Sequence, residues 1–462
     1  MKPTVQLEGK RVLVVGLART GVATALYCAG RGARVTATDE KPEAELSAAA
    51  AQLRAAGVEL ELGGHREETF VAQDLIIQSP GVPAELPQLH AAREQGIAVW
   101  SEIELAWRFL RGRLVAITGS NGKTTTTALI GHILATAGVP ALVGGNIGTP
   151  LISLVELSSE GTWSVAEVSS FQLETIAAFR PDISVWLNLT PDHLDRHASL
   201  QLYGQAKARI FENQREADAA IVNADDAETA RYAPTGPQVY WFSRQKRVAC
   251  GMYVRDEQLV FRREGHDVVL LDRADIGLRG EHNVENVLAG AAAAYLAGAA
   301  PSAIAEGVRT FAGVEHRLEF VAEIDGVAYY NDSKATNVDA TLKAIDAFAG
   351  KLLIILGGKD KGGDFTALCE PLRRHGKLAL TIGKAAEKIA GQIAGAVPIE
   401  AAGTMDRAVQ IAAQHARPGD TVLLAPGCAS FDQFDNFEHR GRVFKQLVRS
   451  LAAVSAAKEK AG

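Results

Sequence analysis

Leu114-Val115-Ala116-Ile117-Thr118-Gly119-Ser120-Asn121-Gly122-Lys123-Thr124-Thr125 is an apolar run of strand length that ends in a glycine-bearing loop and opens onto Lys-Thr-Thr. Apolar residues rich in β-branching, without alternation, suit a strand buried on both faces of a parallel sheet. A loop between such a strand and a helix N-terminus aims backbone N–H groups at one spot, where an anion is stabilised. Lys123 adds a point charge suited to β- and γ-phosphates, and the Thr124 hydroxyl is of the kind that ligates Mg²⁺. Glycines stand only at Gly119 and Gly122, and Ile117 takes the place of the first glycine in the common GxxxxGK[ST] pattern. The stretch is a shortened relative of that pattern. Gly119, Ser120, Asn121, Gly122, Lys123, Thr124 and Thr125 read as a cradle for ATP or GTP. An ordinary glycine-rich turn with a solvated lysine is the alternative, and the strand before and Lys-Thr-Thr after argue against it.

Outward from this stretch the same device recurs: a basic residue, an apolar strand, a glycine loop. It appears at Lys10–Gly16 and at Lys351–Gly358. Alanine-rich helical patterns lie between, as in Glu43 to Gly57, Ser302 to Phe311 and Met405 to Ala416. That alternation predicts stacked α/β domains. A chain of 462 residues exceeds what one core usually supports. Boundaries are placed near Trp100–Ser101 and Gly313–Val314. Residues 1–100 are expected to form an N-terminal Rossmann-like domain, 101–313 a central P-loop ATPase-like domain with a mostly parallel sheet, and 314–462 a C-terminal Rossmann-like domain. From about Ala233 to Arg279 apolar and charged residues alternate, which predicts an antiparallel excursion within the middle domain.

Composition excludes several classes. Hydrophobic content of 47% with 22% charged residues describes an ordinary globular protein, and a formal net charge of −6 argues against nucleic acid or an acidic membrane surface as partner. Cys28, Cys250, Cys369 and Cys428 show no CxxC spacing, which suits a reducing compartment and no structural zinc. The run Val12–Val15 is too short for a secretory signal, and Val287–Ala300, mostly alanine and stopped by Pro301, reads as a buried helix. A cytoplasmic protein without membrane insertion is the expectation, with a monomer as its expected state.

Further constellations sit at strand ends. Gly16-Leu17-Ala18-Arg19-Thr20-Gly21 precedes a helix, and the strand Arg34–Thr38 ends at Asp39, a Rossmann-like layout. Ala18 holds the place of the glycine that admits a pyrophosphate, so NAD is a poor fit and a structural turn stays open. Ser79-Pro80-Gly81 would line the same crevice. Glu167 closes the strand of Trp163–Ser170 and either holds Mg²⁺ or caps the next turn. Asn188-Leu189-Thr190-Pro191-Asp192-His193-Leu194-Asp195-Arg196-His197 follows an apolar strand and carries many ligand-type side chains. Lys207 lies on the next helix, where solvation is the default for a lysine. In Gly280–Asn286, Asn283 and Asn286 would cap a helix start or read an adenine edge. Three polar loops, Asn331–Asn337, Gly357–Gly363 and Pro426–Phe434, follow apolar strands and are expected to converge on one sheet edge as a second substrate site.

Together GLARTG, SPG, TGSNGKTT, GGNIG, EVSSFQLE, LNLTPDHLDRH, GEHNVEN, HRLE, NDSKATN, GGKDKGGDF and PGCASFDQF-DNF resemble the Mur ligase family of cytoplasmic cell-wall enzymes over nearly the whole chain. The resemblance implies an ATP-dependent ligase that adds D-glutamate to UDP-N-acetylmuramoyl-L-alanine through an acyl phosphate. It implies UDP-end binding by Leu17, Thr20, Asp39, Ser79 and Gly81. Asn283 and Asn286 would lie near adenine, with Arg317 and Asp332 contributing to the ATP site. Two Mg²⁺ ions are implied, held by Thr124, Glu167, His193 and Lys207, the last matching the family's carbamylated lysine. Asn146 matches the residue near the transferred phosphate, giving a catalytic set of Lys123, Asn146, His193 and Lys207. D-Glutamate would meet Lys334, Thr336, Lys361, Ser430 and Phe437. Pro191 departs from the pattern, which often has an acid there. A sister ligase with another acceptor, a folylpolyglutamate-type ligase, or a non-ligase nucleotide-binding protein are the competing readings.

Overall fold

In a computed structural model, residues 2–3 and 5–461 are described, side chains at 194, 195 and 454–461 excepted. The strands are β1 (Arg11–Val15), β2 (Arg34–Asp39), β3 (Glu59–Leu62), β4 (Leu75–Gln78) and β5 (Ala98–Ser101) in a first sheet. A second contains β6 (Arg113–Thr118), β7 (Ala141–Gly145), β8 (Trp163–Glu167), β9 (Ile183–Trp186), β10 (Ala219–Asn223), β11 (Gln238–Ser243), β12 (Gly251–Arg255), β13 (Gln258–Arg263) and β14 (His266–Asp272). The third contains β15 (Glu319–Ile324), β16 (Val327–Asn331), β17 (Leu352–Gly357), β18 (Gly376–Ile382), β19 (Ile399–Gly403) and β20 (Thr421–Leu424).

The first sheet runs β3-β2-β1-β4-β5 and is parallel throughout, with Val14 paired to Ala37 on one side and Ile77 on the other. The second runs β14-β13-β12-β11-β10-β9-β6-β8-β7, and β6 lies between β9 and β8. The third runs β15-β16-β20-β17-β18-β19. In each sheet the strand order reverses beside a central strand, and the glycine loops leave from there, where ligands of such sheets bind. Val12 to Val15, Leu114 to Thr118 and Leu352 to Gly357 are all buried, as strands covered on both faces must be.

Three sequence expectations need correction. The 233–279 stretch is antiparallel only from β12 onward; β10–β11 and β11–β12 pair in parallel. The helix expected over Glu43–Gly57 is a 3₁₀ turn, Glu43–Glu45, followed by a helix Ser47–Ala55. Leu46, at φ −119° and ψ 16°, leaves the helical region between them, and its side chain packs on the first core. The alanine-rich helix starts at Glu281 and ends at Leu296, and Gly298 then turns the chain at φ +104°.

The backbone clusters into two compact units. One contains the first two sheets: residues up to Leu189, Arg196–Asp275 and Glu285–Thr310. The other contains Thr190–Asp195, Ile276–Val284 and everything from Phe311. Two acids anchor the helix Glu102–Phe109, which follows the last strand of the first sheet along the chain. Glu104 Oε2 accepts the N–H groups of Ala177, Ala178 and Phe179 at 2.9, 2.9 and 2.7 Å. Glu102 Oε1 accepts the Ile152 N–H at 2.6 Å, and burial pushes its carboxyl up to about 7. Among the described residues, no helix is long and apolar enough to cross a membrane.

Candidate functional site

The phosphate loop is held in shape by its neighbours in the first unit. Gly119 (φ +150°) and Gly122 (φ +86°) take conformations that side chains resist. Asn188 brackets the loop: its Oδ1 accepts the Asn121 N–H at 2.9 Å and its Nδ2 donates to the Asn121 carbonyl at 3.1 Å. The Ser120 N–H donates to the Asn188 carbonyl at 3.0 Å. A Cβ at Gly122 would collide with Asn286 Oδ1, so the helix Glu281–Leu296 approaches the loop closely there. Asn286 is therefore no helix cap; it lies inside the helix, and Thr126 Oγ1 sits 3.4 Å from its Oδ1.

Two lysines converge on this loop. Lys123 Nζ donates to the carbonyls of Gly119 (2.7 Å) and Ser120 (2.8 Å), and Lys207 Nζ donates to that of Gly119 at 2.8 Å. Lys207 is 1% exposed, against the solvation expected of a helical lysine, and its ammonium lies 4.5 Å from the Tyr203 ring centroid. Thr124 Oγ1 donates to Glu167 Oε2 at 2.6 Å. Glu167 is 2% exposed, and its Oε1 has no hydrogen-bond partner. It does not cap the next turn, because Ser169 and Gln172 form a capping box there. The Asn146 N–H donates to the Glu167 carbonyl at 2.8 Å, which places the GGNIG loop beside this acid. A hydroxyl and an orphaned buried carboxylate oxygen form an all-oxygen donor set that fits Mg²⁺.

Within the same unit, the Rossmann-like turn closes on itself. Asp39 Oδ2 accepts the Leu17 N–H at 2.7 Å and Oδ1 accepts the Lys41 N–H at 2.9 Å. Ser79 Oγ donates to the Gly16 carbonyl at 2.8 Å, joining the first and fourth strand ends as expected of a shared crevice. Leu17 has its side chain in the core, so only its backbone is offered to a ligand; Thr20 stands in the first turn of the following helix. Gly81 completes the loop after Ser79. Arg196 Nη1 and Nη2 donate to the Pro80 and Val82 carbonyls at 2.8 and 2.9 Å.

The second unit contains the remaining residues singled out. His193 (φ +53°) belongs to it, in a segment where Asp192 Oδ2 accepts from Asn337 Nδ2 at 3.0 Å. The set Thr124, Glu167, His193, Lys207 is thus divided between the two units. Asn283 is buried and donates from Nδ2 to the Arg279 carbonyl at 2.6 Å, the opposite polarity from an N-cap. Asp332 is 2% exposed with Oδ1 unpartnered; burial pushes it up to about 6, against the pull of Arg317.

The three polar loops of this unit do converge, because β16, β20 and β17 are adjacent and parallel. Lys359 and Ala429 form a two-way backbone bridge at 2.8 and 3.0 Å, and the Gly427 N–H donates to the Ala335 carbonyl at 2.9 Å. Lys334 Nζ lies 5.4 Å from the Phe437 ring centroid. Asn436 Oδ1 accepts the His439 N–H at 2.7 Å and caps the last helix, so Phe437 starts it. Ser430 is buried, Lys361 exposed, and Thr336 half-buried beside Lys334. Sequence reasoning missed Asn188 as the loop's clamp, Glu102 and Glu104 as acceptors for distant backbone N–H groups, and Arg440. For Arg440 a signal existed: an arginine in the first turn of a helix faces the wrong end of its dipole.

A phosphate loop with a buried acid at the end of the neighbouring strand marks the class of ATP-using enzymes. Family models match along the chain: the MurD-like Mur ligase N-terminal domain over residues 10–101, the Mur ligase middle domain over 117–294, and the Mur ligase glutamate ligase domain over 316–428. The chain is 53% identical to UDP-N-acetylmuramoylalanine--D-glutamate ligase of Koribacter versatilis, covering 96% of this chain and 98% of the relative. It is also 53% identical to the enzyme of that name from Acidobacterium capsulatum, covering 98% of each. In fold it resembles a pseudomurein peptide ligase from Methanothermus fervidus (TM-score 0.61, 19% identity, 96% of this chain and 100% of that one). A MurF ligase from Thermotoga maritima in complex with ADP gives a TM-score of 0.59 at 17% identity, with 96% of each chain covered. The chain belongs to the Mur ligase family, which uses ATP.

Proposed function

We propose that this chain is the ligase that joins D-glutamate to UDP-N-acetylmuramoyl-L-alanine at the expense of ATP. The observation that carries this is 53% identity, across nearly the full length of both chains, to proteins bearing that activity in their names. The substrate carboxylate attacks the γ-phosphorus, ADP leaves, and an acyl phosphate forms. The D-glutamate amine then attacks the acyl carbon, its proton is lost, and phosphate departs. No covalent protein nucleophile is needed; the contribution of the protein is positioning and charge stabilisation.

Each residue's role follows from its chemistry. The N–H groups from Gly119 to Thr125 would cradle the phosphates, and Lys123 would exchange its loop carbonyls for phosphate oxygens. Thr124 and Glu167 would hold Mg²⁺ together with His193, and a second ion would use a carbamylated Lys207. Bound there, Mg²⁺ screens the repulsion between carboxylate and triphosphate. Asn146, tied to the backbone of Glu167, would reach the transferred group. Asn283 and Asn286 would lie near the adenine, and Arg317 and Asp332 would contribute to the ATP site. Leu17, Thr20, Asp39, Ser79 and Gly81 would hold the UDP end, and Lys334, Thr336, Lys361, Ser430 and Phe437 the acceptor. Residues 1–100, 101–313 and 314–462 would act as three functional domains, in a cytoplasmic monomer.

The test is phosphate release from ATP with D-glutamate, L-alanine, diaminopimelate or L-glutamate offered as acceptor. Release that needs both UDP-N-acetylmuramoyl-L-alanine and D-glutamate is expected. Equal or faster release with another acceptor would overturn the assignment.

A further inference from the structure

Arg440 is 0% exposed, a charged side chain sealed among the convergent loops. It stands in the first turn of the helix Phe437–Ala461, where the helix dipole disfavours a cation. Burial lowers its guanidinium to about 10. All three of its side-chain hydrogen bonds go to neutral oxygens on two of the convergent loops. Nε donates to Ser333 Oγ at 2.9 Å, Nη2 to the Ser333 carbonyl at 2.7 Å, and Nη1 to the Cys428 carbonyl at 3.1 Å. Ser333 Oγ in turn donates to the Phe437 carbonyl at 2.8 Å. A Cβ at Gly358 would lie 3.2 Å from Nη1, so the third loop packs against the same group.

The planar fork thus fixes one loop just before Lys334, a second just before Ser430, and the start of the helix at Phe437. We propose that Arg440 is a positioning residue for the amino-acid acceptor: it sets the mutual placement of Lys334, Ser430 and Phe437 through Ser333 and Cys428 without touching the acceptor. This rests on the acceptor site proposed above. A buried charge is costly unless satisfied, and replacing it by an apolar side chain is often tolerated by the fold. Its value here is geometric. Lysine lacks the rigid fork, so it can keep the charge but not all three bonds in one plane.

The experiment uses the full-length enzyme with Arg440→Met, Arg440→Lys and Ser333→Ala, varying D-glutamate, ATP and the UDP-sugar in turn. For Arg440→Met the KM for D-glutamate is expected to rise roughly 10- to 100-fold, as ångström-scale misplacement does. The KM values for ATP and UDP-sugar should hold. Arg440→Lys should recover part of the loss. Ser333→Ala should raise the same KM, and Ser333→Ala combined with Arg440→Lys should cost less than the sum of the two, because both act through one network. Parallel rises in all three KM values, or an unchanged KM for D-glutamate, would overturn the proposal. Should Arg440→Met fail to fold, Arg440→Lys and Ser333→Ala decide it by the same criteria. Wild-type enzyme that ignores D-glutamate refutes the acceptor assignment instead, and the Arg440 claim is then judged on the amino acid the wild type accepts.

Discussion

Thr124 Oγ1 donates a 2.6 Å hydrogen bond to Glu167 Oε2, linking the first turn after the phosphate loop to the end of the neighbouring strand. The pairing Ile117–Glu167 in the parallel register brings the two together. The other carboxylate oxygen, buried and without a partner, is costly unless a cation or water completes it. Glu167→Ala is expected to abolish the Mg²⁺ dependence of ATP binding and to lower turnover by roughly 10²-fold or more. Calorimetric titration of ATP at varied Mg²⁺ checks this; wild-type Mg²⁺ dependence in the variant would refute the metal role.

Gly122→Ala puts a methyl group where Asn286 Oδ1 already lies, at φ +86°. The expected cost is about 1–3 kcal/mol of stability, with weakened ATP binding. Gly138, at φ +68° with nothing within 4 Å of a built Cβ, is the control. Gly138→Ala should carry only the backbone cost of about 1 kcal/mol and bind ATP normally. Thermal melting and nucleotide titration separate the two.

Glu102 makes stability depend on pH in a known direction. Its carboxyl, normally near 4.5, is raised to about 7 by burial, so the folded state holds the proton more tightly than the unfolded chain. Raising the pH through that window strips the proton at a cost, and the penalty is complete above it. Glu102→Gln keeps an acceptor for Ile152 and never ionises. Its stability advantage over wild type should grow between the two values, by up to roughly 3 kcal/mol, then level off. Denaturant melts across that range would show a flat difference if the argument is wrong.

Lys207 is buried against Gly119 and the Tyr203 ring, a place where a carboxylate-bearing carbamate makes sense only beside a cation. Depleting CO₂ should lower activity and bicarbonate should restore it. A ¹³C carbamate resonance should appear with labelled bicarbonate and vanish in Lys207→Met. Its absence from active wild-type enzyme would remove the modification from the mechanism.

Much of this was legible from strand-end grammar. Leu114–Thr125 announced its strand, loop and helix because a buried parallel strand and a glycine turn each leave a local signature. The β16, β17 and β20 loops were legible as a group because apolar runs preceded each. What stayed hidden depends on partners far along the chain. Lys207 looked like any solvated helical lysine, since its burial is set by Gly119. Asn286 looked like a cap, because the sequence does not reveal that the helix begins at Glu281 and passes against Gly122. Glu102 and Glu104 carried no local signal, because the backbone N–H groups they satisfy lie 50 or more residues away.

Oxygen-18 tracing reports on the central claim most directly. UDP-N-acetylmuramoyl-L-alanine labelled in its alanyl carboxylate is turned over with ATP and D-glutamate, and the released phosphate is read by mass spectrometry. An acyl phosphate requires one labelled oxygen to pass into each phosphate. Phosphate carrying none of the label, with amide product formed, would contradict the account.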